Sequence, residues 1–212
     1  MQSALKLLTS AAVLAASAAA EMKPGKCPVH EQNKPMDSFD MYKMAGLWYE
    51  YVWDDAFTPY SYECSTWIVL ADTEKGEDAY LVYNNMLLPA TEEGGEREAT
   101  FIRFPVAVDP KTDAGRRAHV RFNRHDEDAE KNLQPEVGVS FIDTDYYNYV
   151  VGSQCREEGD QHEETFFVWT REKQPSMFMR RKARNALLAL GQVPETMSKG
   201  PLVDCWGKDI FL

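Results

Sequence analysis

The sequence predicts an all-β fold: an eight-stranded antiparallel up-and-down barrel with one C-terminal α-helix packed on its wall. Three observations carry that expectation. Alternating apolar and polar runs, rich in aromatic and β-branched residues, recur along the chain between Gly, Pro, Asp and Asn, the period-two signature of half-buried strands. Eight such runs follow one another in sequence, and closing them into a barrel removes the exposed edges an open sheet would leave. One late segment, Pro175 to Leu190, changes instead to the helical period.

The strands are expected at about 46–55, 64–72, 78–88, 98–108, 117–124, 137–143, 146–155 and 164–171. In the helical segment Met179, Ala183, Ala186, Leu187 and Leu190 fall on one face, while Arg180, Arg181 and Arg184 fall away from it. Pro175 suits a first helical turn, and Gly191 followed by Pro194 can end the helix. The sequence contains no internal repeat, low-complexity tract or Asn-x-Ser/Thr acceptor site.

Ahead of the strands, Met1 to Ala20 reads as a signal peptide. One cation, Lys6, precedes an apolar stretch through Leu7, Leu8, Val13 and Leu14, and Ala18-Ala19-Ala20 supplies the small residues signal peptidase requires. The expected division is therefore a leader over 1–20 and a single domain over 21–212. The leader's apolar stretch is too short to span a bilayer, and no later stretch approaches the roughly 20 apolar residues a span needs. A secreted, extracellular protein is expected.

The formal net charge of −11 argues against nucleic acid and anionic membrane surfaces as partners. The acids gather at Glu92-Glu93, Asp126-Glu127-Asp128 and Glu157-Glu158 through Glu163-Glu164, between the apolar runs, and read as solvated turns. Asp126-Glu127-Asp128 lacks the spaced oxygen ligands and Gly of a calcium loop. Four cysteines, Cys27, Cys64, Cys155 and Cys205, are an even number behind an export signal and predict two disulfides. Three pairings are possible for four cysteines, and the residues alone leave them open.

Three stretches carry a resemblance. Gly46-Leu47-Trp48-Tyr49-Glu50 opens the first strand, Thr144-Asp145-Tyr146 lies far downstream, and Thr170-Arg171 ends the run Phe166-Phe167-Val168-Trp169. Together they resemble the lipocalin signature. The resemblance implies that Gly46 and Trp48 sit at the closed end of the barrel, that Thr144, Asp145 and Tyr146 form a loop there, and that Arg171 packs across Trp48. It also implies the pairing Cys27 to Cys155 and Cys64 to Cys205, the order of the branch containing apolipoprotein D, insecticyanin and the crustacyanins. The implied function is a secreted carrier holding a small hydrophobic ligand noncovalently. The bilin (biliverdin) and carotenoid pigment carriers are the nearest resemblance. A fatty acid or retinoid carrier, a carotenoid-modifying lipocalin enzyme and an oligomeric interaction protein are the alternatives.

Ligand contacts must come from side chains that alternate inward along each strand. With Trp48 inward, Glu50, Val52 and Asp54 share its side. Tyr49, Tyr51 and Trp53 then face out, beneath the helix or at a homo-oligomer contact. The candidate cavity set comprises Glu50, Val52, Tyr60, Trp67, Val69, Tyr80, Val82, Asn84, Phe101, Phe104, His119, Phe122, Phe141, Tyr149 and Phe167. Each alone reads as ordinary core; as a set they describe an aromatic cup for a flat conjugated molecule, with Tyr, Asn and His119 orienting polar ends. No catalytic motif is expected: there is no Gly-x-Ser-x-Gly elbow, His-Glu-x-x-His or phosphate-binding Gly loop. His30, His119, His125 and His162 are dispersed without metal-ligand spacing. An enzyme of the carotenoid-modifying kind would draw its acid from Glu50 or Asp54.

Overall fold

A computed structural model describes residues 22–28, 30, 39–53, 63–71, 79–88, 98–108, 119–122 and 137–197. For 63, 79, 86–88, 98–108, 119–122 and 137 the backbone alone is described. The leader, Asp54, Tyr60 and Cys205 lie outside these residues. The strands are β1 (Lys23–Pro24), β2 (Gly46–Trp53), β3 (Glu63–Ala71), β4 (Ala79–Leu88), β5 (Glu98–Val108), β6 (His119–Phe122), β7 (Val137–Thr144), β8 (Tyr149–Glu158) and β9 (Gln161–Thr170). A 3₁₀ turn, Met41–Met44, precedes β2, and helix α1 spans Met177–Ala189. From β2 to β9 each strand pairs antiparallel with the next, and β9 pairs with β2 as well as β8, which closes the sheet.

All eight expected strand regions hold strands. The strand expected at 146–155 begins three residues late, because Asp145 holds the turn ahead of it: its Oδ1 accepts from the amides of Tyr147, Asn148 and Tyr149. Helix α1 begins after Ser176, whose hydroxyl accepts from the Met179 amide, and ends at Gly191 in the left-handed region at φ +75°.

The closed sheet separates two apolar layers. Inside lie Trp48, Trp53, Trp67, Val69, Tyr80, Val82, Val139, Phe141, Val150, Phe167 and Trp169, joined by Phe39, Met41 and Met44 from the segment leading into β2. Outside, α1 presses Ala183 and Leu187 onto Val52, Ile142, Val151, Phe166 and Val168, with Met179, Ala186 and Leu190 partly buried beside them. The expected helical face is therefore the buried one. Within this outer layer Tyr149 donates its hydroxyl to Asp143 Oδ2 at 2.9 Å. Burial raises the Tyr149 phenol well above its ordinary range, and the neighbouring Asp143 charge raises it further. Burial raises the Asp143 carboxyl too, against the Tyr149 hydrogen bond and the Lys182 charge that lower it.

The N-terminal segment is tied to the outer end of the β8–β9 hairpin. Lys23 and Pro24 pair with His162 and Gln161, and the Gly25 amide donates to Asp160 O at 2.7 Å. Cys27 is disulfide-bonded to Cys155, their Cα atoms 5.9 Å apart, and the Cys27 amide donates to Glu157 Oε1 at 3.0 Å. That amide, then Lys26, holds the Glu157 carboxyl below the usual range. Farther along, His30 Nε2 meets Glu164 Oε1 at 2.5 Å, and its ring packs edge-on against Phe166. Cys64 is also disulfide-bonded, while Cys205, its partner in the pairing implied by the resemblance, is outside the described residues.

Non-reducing peptide mapping is expected to return Cys27 linked to Cys155 and Cys64 linked to Cys205; a peptide joining Cys27 to Cys64 would break the implied order. A second expectation concerns pH. A phenol whose folded pKa lies above its unfolded value near 10.0 stabilises the fold fully below that pH and loses the contribution as pH rises past it. Tyr149→Phe should therefore flatten the alkaline limb of a denaturant-stability profile relative to wild type.

Candidate ligand-binding cavity

One end of the barrel is sealed by side chains from four separate elements. Trp48, fully buried, donates its Nε1 to Met44 O at 2.7 Å, which anchors the indole to the 3₁₀ turn. Arg171, the residue after β9, lies across its face with Cζ 3.6 Å from the ring centroid. The guanidinium donates to Leu47 O at 2.9 Å through Nη1 and to Ala45 O at 2.8 Å through Nη2, with longer contacts to Lys43 O and Tyr146 O. Burial lowers the Arg171 pKa from its ordinary value, the desolvation cost of a cation held there. Four carbonyl oxygens and the indole face offset that cost. Gly46 makes the approach possible: its φ is +100°, and an added Cβ would come within 3.1 Å of Arg171 Nη1.

The loop between β7 and β8 completes the seal. Thr144 Oγ1 donates to Tyr149 O at 2.6 Å and accepts from the Tyr146 amide at 2.9 Å. Tyr146, at φ +64°, accepts at its hydroxyl from the Asp40 amide and stacks on Phe39. Phe39 stacks in turn on Phe141, 5.2 Å between centroids, and Tyr42 meets Tyr80 edge-on. The segment before β2 thus packs into the sealed end of the barrel.

Above the seal the wall is aromatic. Trp67 stacks on Trp169 at 4.8 Å, Trp169 on Phe167 at 4.6 Å, and Phe141 packs edge-on against both Phe167 and Trp169. Gly152 lies beneath this stack: a Cβ there would overlap the Phe167 ring and sit 2.7 Å from Ser140 O. Trp169 Nε1 is buried with no hydrogen-bond partner among the described residues, a donor costing about 1–3 kcal/mol while unpaired. Glu50, also buried, pairs in register with Trp169 and shares the inner face. Asn84 donates to Ser65 Oγ at 3.0 Å and Thr66 O at 3.2 Å, which ties its amide to the irregularity in β3 where Cys64 has φ +56°. Toward the opposite end the unbroken β8–β9 register sets Thr165, Glu163, Gln154 and Arg156 on the same inner face. There Arg156 Nε donates to the buried Glu163 at 2.5 Å. The inner wall formed by β8 and β9 runs from apolar at the sealed end to polar at the other.

Of the expected cavity set, Glu50, Trp67, Val69, Tyr80, Val82, Asn84, Phe141 and Phe167 share this interior. Val52 and Tyr149 do not; both lie in the layer under α1. Val52 is displaced by a bulge: Glu50 pairs with Trp169 but Val52 with Val168, so Tyr51 is the extra residue and alternation inverts beyond it. The same inversion carries Trp53 inward, against expectation, and leaves Tyr51 packed by the helix layer. Tyr49 stays outside, half-buried, with Lys173 Nζ 5.7 Å from its ring centroid. Tyr149 is opposite Thr170, one position out of phase with inward Val150 opposite Trp169. Phe104 and Phe122 occupy register positions opposite Val82 and Val106. Phe101 and His119, three residues from them, fall at opposite-phase positions beside Asn85 and Ser140; their side chains are not described. Tyr60 lies outside the described residues. Trp169 and Val150 are interior residues absent from the expected set, although Trp169 follows inward Phe167 by two.

Insecticyanin from the tobacco hornworm Manduca sexta superposes with a TM-score of 0.67 at 14% identity, over 89% of this chain and 94% of that one. Lobster apocrustacyanin A1 gives 0.62 at 13% identity, over 84% and 89%. H1 crustacyanin from the lobster Homarus americanus gives 0.59 at 17% identity, over the same shares. The fold is that of the lipocalins. No family model matches the sequence, and neither does any curated protein compared with it. At these identities the likeness is one of fold alone. In this chain Gly46, Trp48, the Thr144–Tyr146 loop and Arg171, which the sequence scatters over 126 residues, come together at the sealed end of that fold.

Trp48→Ala is expected to cost about 3–5 kcal/mol in chemical denaturation, as other large aromatic truncations in cores do. Ligand affinity should fall only as far as the folded fraction does; unchanged stability with lost binding would make Trp48 a contact residue instead.

Proposed function

We propose that this chain is an exported carrier that holds a small hydrophobic ligand noncovalently in the barrel, a bilin such as biliverdin or a carotenoid being the class that fits best. The observation that carries the reading is the inner aromatic wall of Trp53, Trp67, Phe141, Phe167 and Trp169. Flat rings stacked within 5 Å of one another form a surface that a planar conjugated molecule extends by further stacking. The driving force is roughly 25 cal/mol per Å² of apolar surface removed from water, before association costs. The polar inner belt at Arg156 and Glu163 gives such a ligand a place for a hydrophilic end. The motif resemblance to the insecticyanin and crustacyanin branch, and structural likeness to members of it, point the same way. The Cys27–Cys155 disulfide fits an oxidising, extracellular compartment.

Titration with biliverdin, and separately with a carotenoid, should give one ligand per barrel, a shifted visible band and quenched tryptophan emission. Quenching is expected because Trp53, Trp67 and Trp169 lie in the wall. Absence of quenching and of any band shift with both pigments, together with saturable displacement of a fluorescent fatty acid, would move the assignment to a colourless lipid carrier.

A further inference from the structure

Among the described residues, the apolar packing of α1 on the barrel leaves the helix's outer face exposed. Met177, Arg181, Arg184 and Leu188 follow one another at four-, three- and four-residue steps, opposite the buried Ala183–Leu187 side. Met177 is 84% exposed, Phe178 62% and Leu188 43%. Exposed apolar side chains rimmed by cations mark contact surfaces. The helix carries four cations and no acid, within a chain whose formal charge is −11. Lys182 Nζ lies 5.1 Å from the Phe178 centroid and 5.7 Å from that of Tyr149, so one cation bridges the exposed ring and the barrel wall.

We propose that this face docks in plane on an anionic phospholipid bilayer. Met177, Phe178 and Leu188 would enter the headgroup layer, with Arg181 and Lys182 beside lipid phosphates and carboxylates. The face is the outer side of a helix about 20 Å long, a convex surface. The cleft near it, about 120 Å³, lies between Tyr51, Val168 and Leu187 and meets the stripe at Arg184 alone, so Met177, Arg181 and Leu188 line no groove described there. A convex amphipathic helix with cations and protruding Met, Phe and Leu side chains matches a flat, deformable anionic interface better than a protein groove. Chain-wide charge does not prevent it. Of the acids beside the helix, Asp143 faces Lys182 and Glu195 pairs with Arg184, which leaves Arg181 the least compensated cation; Glu157, Glu158 and Asp160 stand at the far end of β8 and β9, and repulsion is screened over about 8 Å at physiological salt. Arg184, paired with Glu195 at 2.7 Å, contributes less than Arg181 and Lys182.

The test is co-sedimentation of the full chain with vesicles of phosphatidylcholine alone and of equimolar phosphatidylcholine and phosphatidylserine. Wild type should sediment with the anionic vesicles only, and less at high salt. The double variants Arg181→Gln with Lys182→Gln, and Met177→Ser with Phe178→Ser, should each weaken binding about tenfold or more. Both should keep the circular-dichroism spectrum and a cooperative melt close to that of wild type, since all four side chains are exposed and only the Lys182 contacts over the Phe178 and Tyr149 rings are lost. No sedimentation of wild type with anionic vesicles, or full binding by the Met177→Ser, Phe178→Ser variant, would overturn the proposal. So would capture by polyglutamate, sensitive to the Arg181→Gln, Lys182→Gln change, in the absence of vesicle binding; the face would then be an acidic-protein site.

Discussion

The structure depends on a cation held over an indole at the point where the sheet closes. β9 joins β8 to β2, and Arg171 leaves its end to lie on Trp48, two residues into β2. The guanidinium then reaches carbonyls before β2, within β2 and in the β7–β8 loop, so one side chain fixes three chain segments. Other features follow from making room for it. Gly46 lacks a Cβ where the guanidinium passes, and Met44 O is placed to accept the indole N–H. A bidentate planar donor suits this position, and a lysine would supply one point of contact in place of several.

Sealing one end in this way gives the interior a direction. Apolar rings gather near the seal, where Phe39, Phe141 and Tyr146 stack, and the polar groups Gln154, Arg156, Glu163 and Thr165 follow toward the other end of β8 and β9. A ligand entering from that end would meet polar groups first and rings last. The outer layer serves a separate purpose. Helix α1 covers Val52, Val151 and Val168, which would otherwise be a bare apolar wall.

The helix also shows why chain-wide charge is a poor guide to local surface. Twenty-three basic and 34 acidic residues average to an acidic molecule, yet α1 contains no acid at all. Ions beyond a Debye length are largely screened, so a surface approaching α1 responds mainly to its own cations and to the acids beside them, Asp143 and Glu195. The disulfide from Cys27 acts at the barrel's other end, where it joins β8 to the chain ahead of β2.

The sequence by itself determined the strand regions, the helix and its buried face, because each is written in short-range periodicity or in residue types with few uses. Asp145 as a turn acceptor belongs to that class, whereas Arg171 over Trp48 was implied by the resemblance of three motifs to the lipocalin signature. What only the tertiary structure decided is which way several side chains point. A period of two carries no memory across an inserted residue, and the Tyr51 bulge exchanged the places of Val52 and Trp53. Tyr149 went outside for a similar reason: its phase is set by its partner on β9, not by its own aromatic character. The long-range pairs, His30 with Glu164 and Phe39 with Phe141, had no local trace, since nothing near either residue specifies what the closed sheet brings beside it.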